Sequence, residues 1–296
     1  MLNSGQVSQR FKFFLKIFLP ALILVSGISA AFWSLRSQGQ EALIRQRIVG
    51  SLDVASGVVS SNFKAVVSDI RFLVNIPTLG KIFDKGGGAF LAELRAELQA
   101  FLKGKEVYEQ VLYRDENGRQ IVRIDNAASV IGKGRRERGA RQAPERIDFS
   151  ETAALKRGDV MLSPLALDIQ GRDGERPFNP IIRFSVPFFG PSGDKRGILI
   201  LRYKAKGLFS DIEASFKTVP GNPMLLNKDG YWIEAGNKKN TWGSMLKHGK
   251  SFAERYPEEW RRIKAEQAGT LKTARGFFVY KSVYPVHVVH ELMGGM

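Results

Sequence analysis

The chain has 296 residues, no cysteine and a formal net charge of +16. The absence of cysteine excludes a disulfide framework, a thiolate metal site and a cysteine nucleophile. A hydrophobic content of 44% and a charged content of 25% suit a globular chain with room for two modest domains, and the basic excess makes nucleic acid the first partner class to weigh.

Residues 17–35, IFLPALILVSGISAAFWSL, carry no charge and follow Arg10, Lys12 and Lys16. A run of about 18 or more uncharged, mostly apolar residues can cross a bilayer as a helix. The basic flank precedes the run, so residues 1–16 are expected in the cytoplasm. The expectation is a single-pass anchor in the inner (cytoplasmic) membrane, with residues 36–296 extracytoplasmic. A cleaved signal peptide is the competing reading, with Ser29 and Ala31 as small residues for a peptidase. The run is longer than a usual signal core, and Phe32 and Trp33 extend it. Both readings export the remainder.

After the anchor the pattern is helical. Val59, Phe63, Val66, Ile70 and Leu73 step by four, three, four and three, an apolar seam of 3.5-residue period. Asn75-Ile76-Pro77 breaks it, because the residue before proline disfavours the helical region. Residues 36–85 therefore read as a stalk helix, which either forms a homodimer with a second copy or covers a sheet in its own chain. Gly86-Gly87-Gly88 separates it from a second helix predicted over 89–103.

Strands follow. VYEQVLYRD (107–115) and RQIVRID (119–125) flank Glu116-Asn117-Gly118, and Asn-Gly between β-rich runs signals a hairpin. The cluster KGRRERGARQAPER (133–146) holds Lys133, Arg135, Arg136, Arg138, Arg141 and Arg146 against Glu137 and Glu145. Framed by glycines and a proline, it reads as a solvated loop drawn to anionic lipid headgroups. With no zinc-finger spacing or RNA-binding aromatic motif, and with export expected, nucleic acid is set aside as a partner. VMLSPLALDI (160–169), IIRFSVPFF (181–189) and GILILRY (197–203) are further strands, the last two joined around Ser192-Gly193. A short helix is predicted at 207–217. A smaller cycle then begins: strands in MLLNKDGYWIEAG around Asp229-Gly230, a helix over 251–267, and a strand at 276–286. A long helix followed by antiparallel strands with helical excursions argues for an α+β, PAS-like sandwich.

VLYRDENGRQIVRID, SPLALDI, PIIRFSVPFFGPSGDKRGILILRY and LLNKDGYWIEAG with Trp242-Gly243, taken in that order, resemble the double Cache region. This is the tandem PAS-like sensor found outside the membrane in bacterial histidine kinases, diguanylate cyclases and chemoreceptors. The resemblance spans roughly residues 36–290. It implies a membrane-distal ligand-binding module over 86–218 and a membrane-proximal module over 219–296, expected to be truncated. It also implies signalling through a second transmembrane helix into an output domain. After Tyr284-Pro285 the sequence reads VHVVHELMGGM, with no second apolar span and no kinase or cyclase motif. The input half of a receptor is thus expected without its output half.

No catalytic constellation emerges, and the chain is not expected to be an enzyme. His287, His290 and Glu291 lie in an irregular tail, His248 stands alone, and Asp173 and Glu175 with Asp168 surround a turn, where acidic residues gather anyway. No nucleophile elbow or phosphate loop is present, and no cofactor or metal is expected. The candidates for ligand binding are polar side chains on apolar strands: Tyr113, Arg123, Asp125, Asp168 and Arg183. An arginine in such a pocket would fork onto a carboxylate, so the expected partner is a small molecule, with a carboxylate as the first choice. Strand alternation equally allows Arg123 and Arg183 to face water, and Asp168 to pair with Arg183 structurally. The expected function is extracytoplasmic ligand sensing that biases a helix displacement by population shift. The alternative is an anchored binding module that sequesters a ligand or modulates a full-length receptor.

Overall fold

The computed structural model describes residues 4–84, 88–126, 149–168, 179–190, 192–235, 241–242 and 249–284. The basic cluster at 133–146, Asp173, Glu175, Gly243, His248, His287, His290 and Glu291 lie outside them. The chain divides into two units, Met1–Ser51 and Leu52–Met296.

The first unit is helical from Ser4, the start of α1 (Ser4–Val74). Phe18, Leu22, Leu24, Val25, Ile28 and Trp33, in the uncharged stretch, are all exposed. Among the described residues, no helix is long and apolar enough to cross a membrane.

In the second unit α1 ends where proline geometry ends it. Asn75 Nδ2 donates to the Arg71 carbonyl at 2.8 Å, satisfying a group the last turn leaves open, and α2 (Pro77–Asp84) restarts with proline at its first position. In α3 (Gly88–Gly104), Leu94, Leu98 and Leu102 repeat every four residues and are buried. The apolar seam of α1 turns inward: Phe63, Val66, Ile70 and Leu73 are buried in one core with the sheet of the same chain. Phe63 meets Phe184 edge to face at 5.4 Å. The seam thus covers a sheet in its own chain.

The sheet comprises β1 (Tyr108–Asp115), β2 (Gln120–Asp125), β3 (Met161–Leu162), β4 (Ala166–Asp168), β5 (Asn179–Phe189) and β6 (Lys195–Lys204). It is antiparallel, in the order β2-β1-β6-β5-β3, with β4 also on β5. Alternation gives it two distinct faces. Val111, Tyr113, Val122, Phe184, Leu201 and Tyr203 point to the α1 side and join the main core. On the opposite, outer face Leu112, Ile198 and Ile200 pack against Phe149 and Ala153 of α4 (149–154), a helix the sequence reading did not anticipate.

Three hairpins share one turn. In Asp115–Arg119, Gly190–Asp194 and Asn227–Tyr231 the fourth residue is a glycine with φ of +76°, +86° and +81°, whose N–H donates to the carbonyl three residues back. The first residue's N–H donates to the carbonyl of the fifth. These are three-residue loops with a left-handed glycine. The Asn117-Gly118 pair was read as a tight turn, yet Gly118 alone of the two takes positive φ. Asp115 Oδ1 accepts from the N–H groups of Asn117 and Arg119, and Asn227 Oδ1 accepts likewise from Asp229 and Tyr231. A side-chain acceptor thus pre-forms each of these two loops.

Beyond α5 (Lys206–Ala214), β7 (Met224–Leu226) pairs with β8 (Trp232–Ala235), and β9 (Ala268–Thr273) with β10 (Gly276–Lys281). Among the described residues this region carries two two-stranded sheets. The helix predicted over 251–267 is two helices, α6 (Phe252–Arg255) and α7 (Pro257–Ala265). They meet at Tyr256, whose extended φ of −131° precedes Pro257. Ser251 and Glu254 form a capping box on α6. Phe252 lies at the centre of an aromatic cluster, 4.8–6.2 Å from the rings of Tyr256, Trp232, Phe278 and Trp260. Lys281 at the end of β10 pairs with Asp53 of α1 at 2.6 Å.

Candidate ligand-binding site

The outer face of the sheet is polar at one end. Strand register aligns Asp125 of β2 with Gln110 of β1, Gln110 with Arg202 of β6, and Arg202 with Arg183 of β5. Directly opposed residues share a face, so these four side chains form one row across four strands. A β-bulge between Tyr108 and Gln110 adds Glu109 to it. Because of the bulge, Tyr108 enters the core while Gln110, two residues on, lines the opposite face.

The row is internally bonded. Asp125 Oδ1 accepts from Gln110 Nε2 at 2.5 Å, and Arg123 Nε lies 3.2 Å from Asp125 Oδ2. Arg123 and Asp125 are two apart on β2 and therefore on the same face. Both are about a third exposed, and such a pair contributes at most about 1 kcal/mol. Arg202 Nε lies 3.2 Å from Glu109 Oε2, with side chains 15% and 6% exposed. This pair is mostly desolvated, and loss of either member would leave a buried charge uncompensated.

The neighbouring row runs Arg123, Leu112, Ile200 and Ser185. Thr152 of α4 sits on it, its hydroxyl 2.6 Å from that of Ser185, and both residues are buried. α4 is anchored from below by Lys195, whose ammonium donates to the carbonyls of Ala153 and Leu155. Ser163, just past β3, brackets Arg183: its N–H donates to the Arg183 carbonyl, and its hydroxyl accepts from the Arg183 N–H at 3.0 Å. Both backbone polar groups of Arg183 are thereby tied to Ser163.

The five sequence candidates divide. Arg123 and Asp125 pair with each other on the outer face, and Arg183 lies on the same face three strands away. Tyr113 lies on the opposite face, fully buried, with its ring edge to face with Phe188 at 5.8 Å. Burial, reinforced by the charge of Asp115, pushes its phenol above its ordinary ionisation range, and it is a neutral core group. Asp168 is placed by its backbone, opposite Asn179 on β5. Glu109, Gln110 and Arg202 were missed. Arg202 carries the signal that singled out Arg183, a guanidinium interrupting an apolar run. Gln110 follows from extending the first hairpin's register to Asp125. Among the described residues, no group of three His, Asp or Glu side chains is arranged to hold a metal ion.

The fold has known counterparts. The extracellular domain of vpHK1S-Z8, described as a histidine kinase, superposes with a TM-score of 0.66 at 17% identity, covering 82% of this chain and 90% of that one. A domain of a sensory box/GGDEF family protein from Vibrio parahaemolyticus gives 0.66 at 16% identity, covering 83% and 92%. The ligand-binding domain of the Campylobacter jejuni chemoreceptor Tlp3, in complex with L-norvaline, gives 0.56 at 14% identity, covering 83% and 88%. At these identities the likeness is one of fold. Among curated proteins, none matches the chain. The sequence profile of the bacterial histidine kinase sensor domain matches residues 67–292, from the buried part of α1 to beyond β10. The chain belongs to the bacterial histidine kinase sensor-domain family.

Proposed function

We propose that this chain is the ligand-sensing region of a bacterial transmembrane signalling receptor and that it binds a small molecule on the outer face of its six-stranded sheet. Within this reading residues 17–35 form the membrane anchor and residues 36–296 lie outside the cytoplasm, the region from 219 on being the membrane-proximal module of a double Cache arrangement. The observation that carries it is the row Asp125, Gln110, Arg202 and Arg183, a line of polar side chains on the face turned away from the helix-covered core. The exposed side chains of Phe18, Leu22, Leu24, Val25, Ile28 and Trp33 support the anchor, because a helix presenting apolar side chains without protein cover is suited to lipid. Norvaline, isoleucine and valine in complexes of the Campylobacter chemoreceptor domain support a small-molecule ligand. The role is binding and transmission, with no catalysis by this chain.

Two measurements test the reading. Alkaline phosphatase fused after Met296 is expected to be active, and a green fluorescent protein at the same point dark; the reverse pattern removes the topology. Ligand-induced thermal stabilisation that is lost when Gln110 or Arg183 is replaced places binding on this face. Stabilisation indifferent to both replacements moves it elsewhere.

A further inference from the structure

We infer that Met224 is an oxidant-responsive modification site, taking one oxygen atom from a peroxide, and that Trp232 registers the change. The site lies in the β7–β8 hairpin and stands apart from the outer face of the larger sheet. The chain has no cysteine, so its reversible sulfur oxidation rests on methionine. Met224 is 43% exposed, open to an oxidant in solution. Its sulfur is nonetheless held: Trp232 Nε1 donates to Met224 Sδ at 3.3 Å. Met161, the other methionine among the described residues, is partly buried, its sulfur 3.4 Å from the hydroxyl of the buried Thr152.

Trp232 connects this exposed sulfur to the interior. It is 4% exposed, its ring meets Phe252 edge to face at 5.9 Å, and the Arg255 guanidinium lies 5.4 Å from its ring centre. Its carbonyl accepts from the N–H of Trp242 at 2.7 Å. A buried indole N–H needs a partner, and a thioether is a weak one. In the oxidation an electron pair of Sδ attacks one peroxide oxygen, the O–O bond breaks and an S–O bond forms. The released hydroxide takes the proton of the transferred oxygen and leaves as water, so sulfur is oxidised and the peroxide reduced. The lone pair that accepts from Trp232 is engaged, so oxygen arrives on the other, and a single sulfoxide epimer results. The electron-poor sulfur is then a worse acceptor, while the new oxygen is a strong one. The unbranched, flexible Met224 side chain turns to offer that oxygen to the indole, and the surroundings of Trp232 change.

The test treats the full chain in lipid nanodiscs with dilute hydrogen peroxide and follows tryptic peptides by mass spectrometry, residues 218–228 carrying Met224 and no other methionine. In the folded chain that peptide is expected to gain one oxygen several-fold faster than the peptide with Met161, and in urea at the same rate. Only one of the two epimer-specific sulfoxide reductases should restore the thioether, and tryptophan emission should shift on oxidation and return on reduction. Met224→Leu should abolish the shift. Met224→Gln, which supplies a carbonyl oxygen to the indole, should show the oxidised protein's emission without peroxide. Trp232→Phe keeps a ring beside Phe252 but has no N–H, and should yield both epimers; should that variant misfold, the epimer assay on the parent chain still decides. Equal oxidation of Met161 and Met224 in the folded chain, or both epimers in equal amount from the parent, overturns the inference. An emission shift that persists in Met224→Leu overturns the part played by Trp232.

Discussion

The Tyr108 hydroxyl donates to Asp69 Oδ2 at 2.5 Å, joining the first strand of the sheet to the C-terminal end of α1. Lys105 reaches the other carboxylate oxygen at 3.2 Å. One strand over, Tyr203 donates to Asn62 Oδ1 at 3.2 Å. Asn62 and Asp69 are seven residues apart, two helical turns along one face. Two tyrosines that are partners across β1 and β6 thus hold the helix at two heights and set its register on the sheet.

Replacing Tyr108 by Phe keeps the ring stacked on Phe101, 5.5 Å away, and removes one bond to a charged acceptor. A loss of about 1.5–3 kcal/mol is expected from denaturant midpoints, against about 1 kcal/mol for Tyr203→Phe, whose acceptor is a neutral amide. Equal losses would show that the Asp69 charge adds nothing to the clasp.

The same tyrosines make the fold sensitive to alkali. Burial pushes the Tyr203 phenol up to about 12 from an ordinary 10.0, with the charge of Asp211 adding to it. Burial, then the bond to Asp69, pushes Tyr108 above the ordinary range too, and Tyr113 rises through burial and Asp115. Above pH 10 the unfolded chain releases these protons while the folded chain keeps them. Stability is therefore full below pH 10 and falls as pH rises through the folded values, by about 1.4 kcal/mol per pH unit for each tyrosine. Thermal midpoints between pH 9 and 12 check this, and Tyr203→Phe should flatten the slope.

The absence of native cysteine makes single thiols clean reporters. Val66→Cys and Ile70→Cys, at sites 1% and 0% exposed, should resist a maleimide reagent until the protein unfolds. Val54→Cys, at a position 58% exposed, should react at once. Rapid labelling at Val66 or Ile70 in the folded protein would detach the seam from the sheet.

Two glycines with similar backbone freedom should respond very differently. A Cβ at Gly197, with φ of +147°, would lie 2.0 Å from the Arg114 carbonyl oxygen on the adjacent strand. Gly197→Ala must part β1 from β6, and loss of the folded state at room temperature is expected. Gly193, with φ of +86°, has nothing within 4 Å, so Gly193→Ala should cost about 1–2 kcal/mol, the backbone penalty alone.

The hairpins were legible because their evidence is local: Asn117-Gly118, Ser192-Gly193 and Asp229-Gly230 each fall at the turn. The break at Pro77 was legible for the same reason. β9 was not, since Ala268-Gly269-Thr270 has weak strand preference and is recruited by full-length pairing with β10. α4 escaped notice because its warrant is tertiary: Phe149 and Ala153 meet Leu112, Ile198 and Ile200 across the chain. At the candidate site, strand alternation marked Arg123, Asp125 and Arg183 as sharing a face once register was known. Tyr113 shares its parity with Val111 and so points into the core, which its hydroxyl alone did not reveal.

The extra residue at Glu109 separates two jobs that alternation would otherwise bind together. In an unbroken strand, Tyr108 and Gln110 would share a face, and any change beside the polar row would disturb the packing against α1. The bulge lets foundation and lining be altered independently. On the proposed reading, the more exposed members of the row, Arg123 and Asp125, can be exchanged while the clasp between Tyr108 and Asp69 stays in place. A sheet so constructed keeps the surface it presents on one face apart from the joint that seats it on the helix.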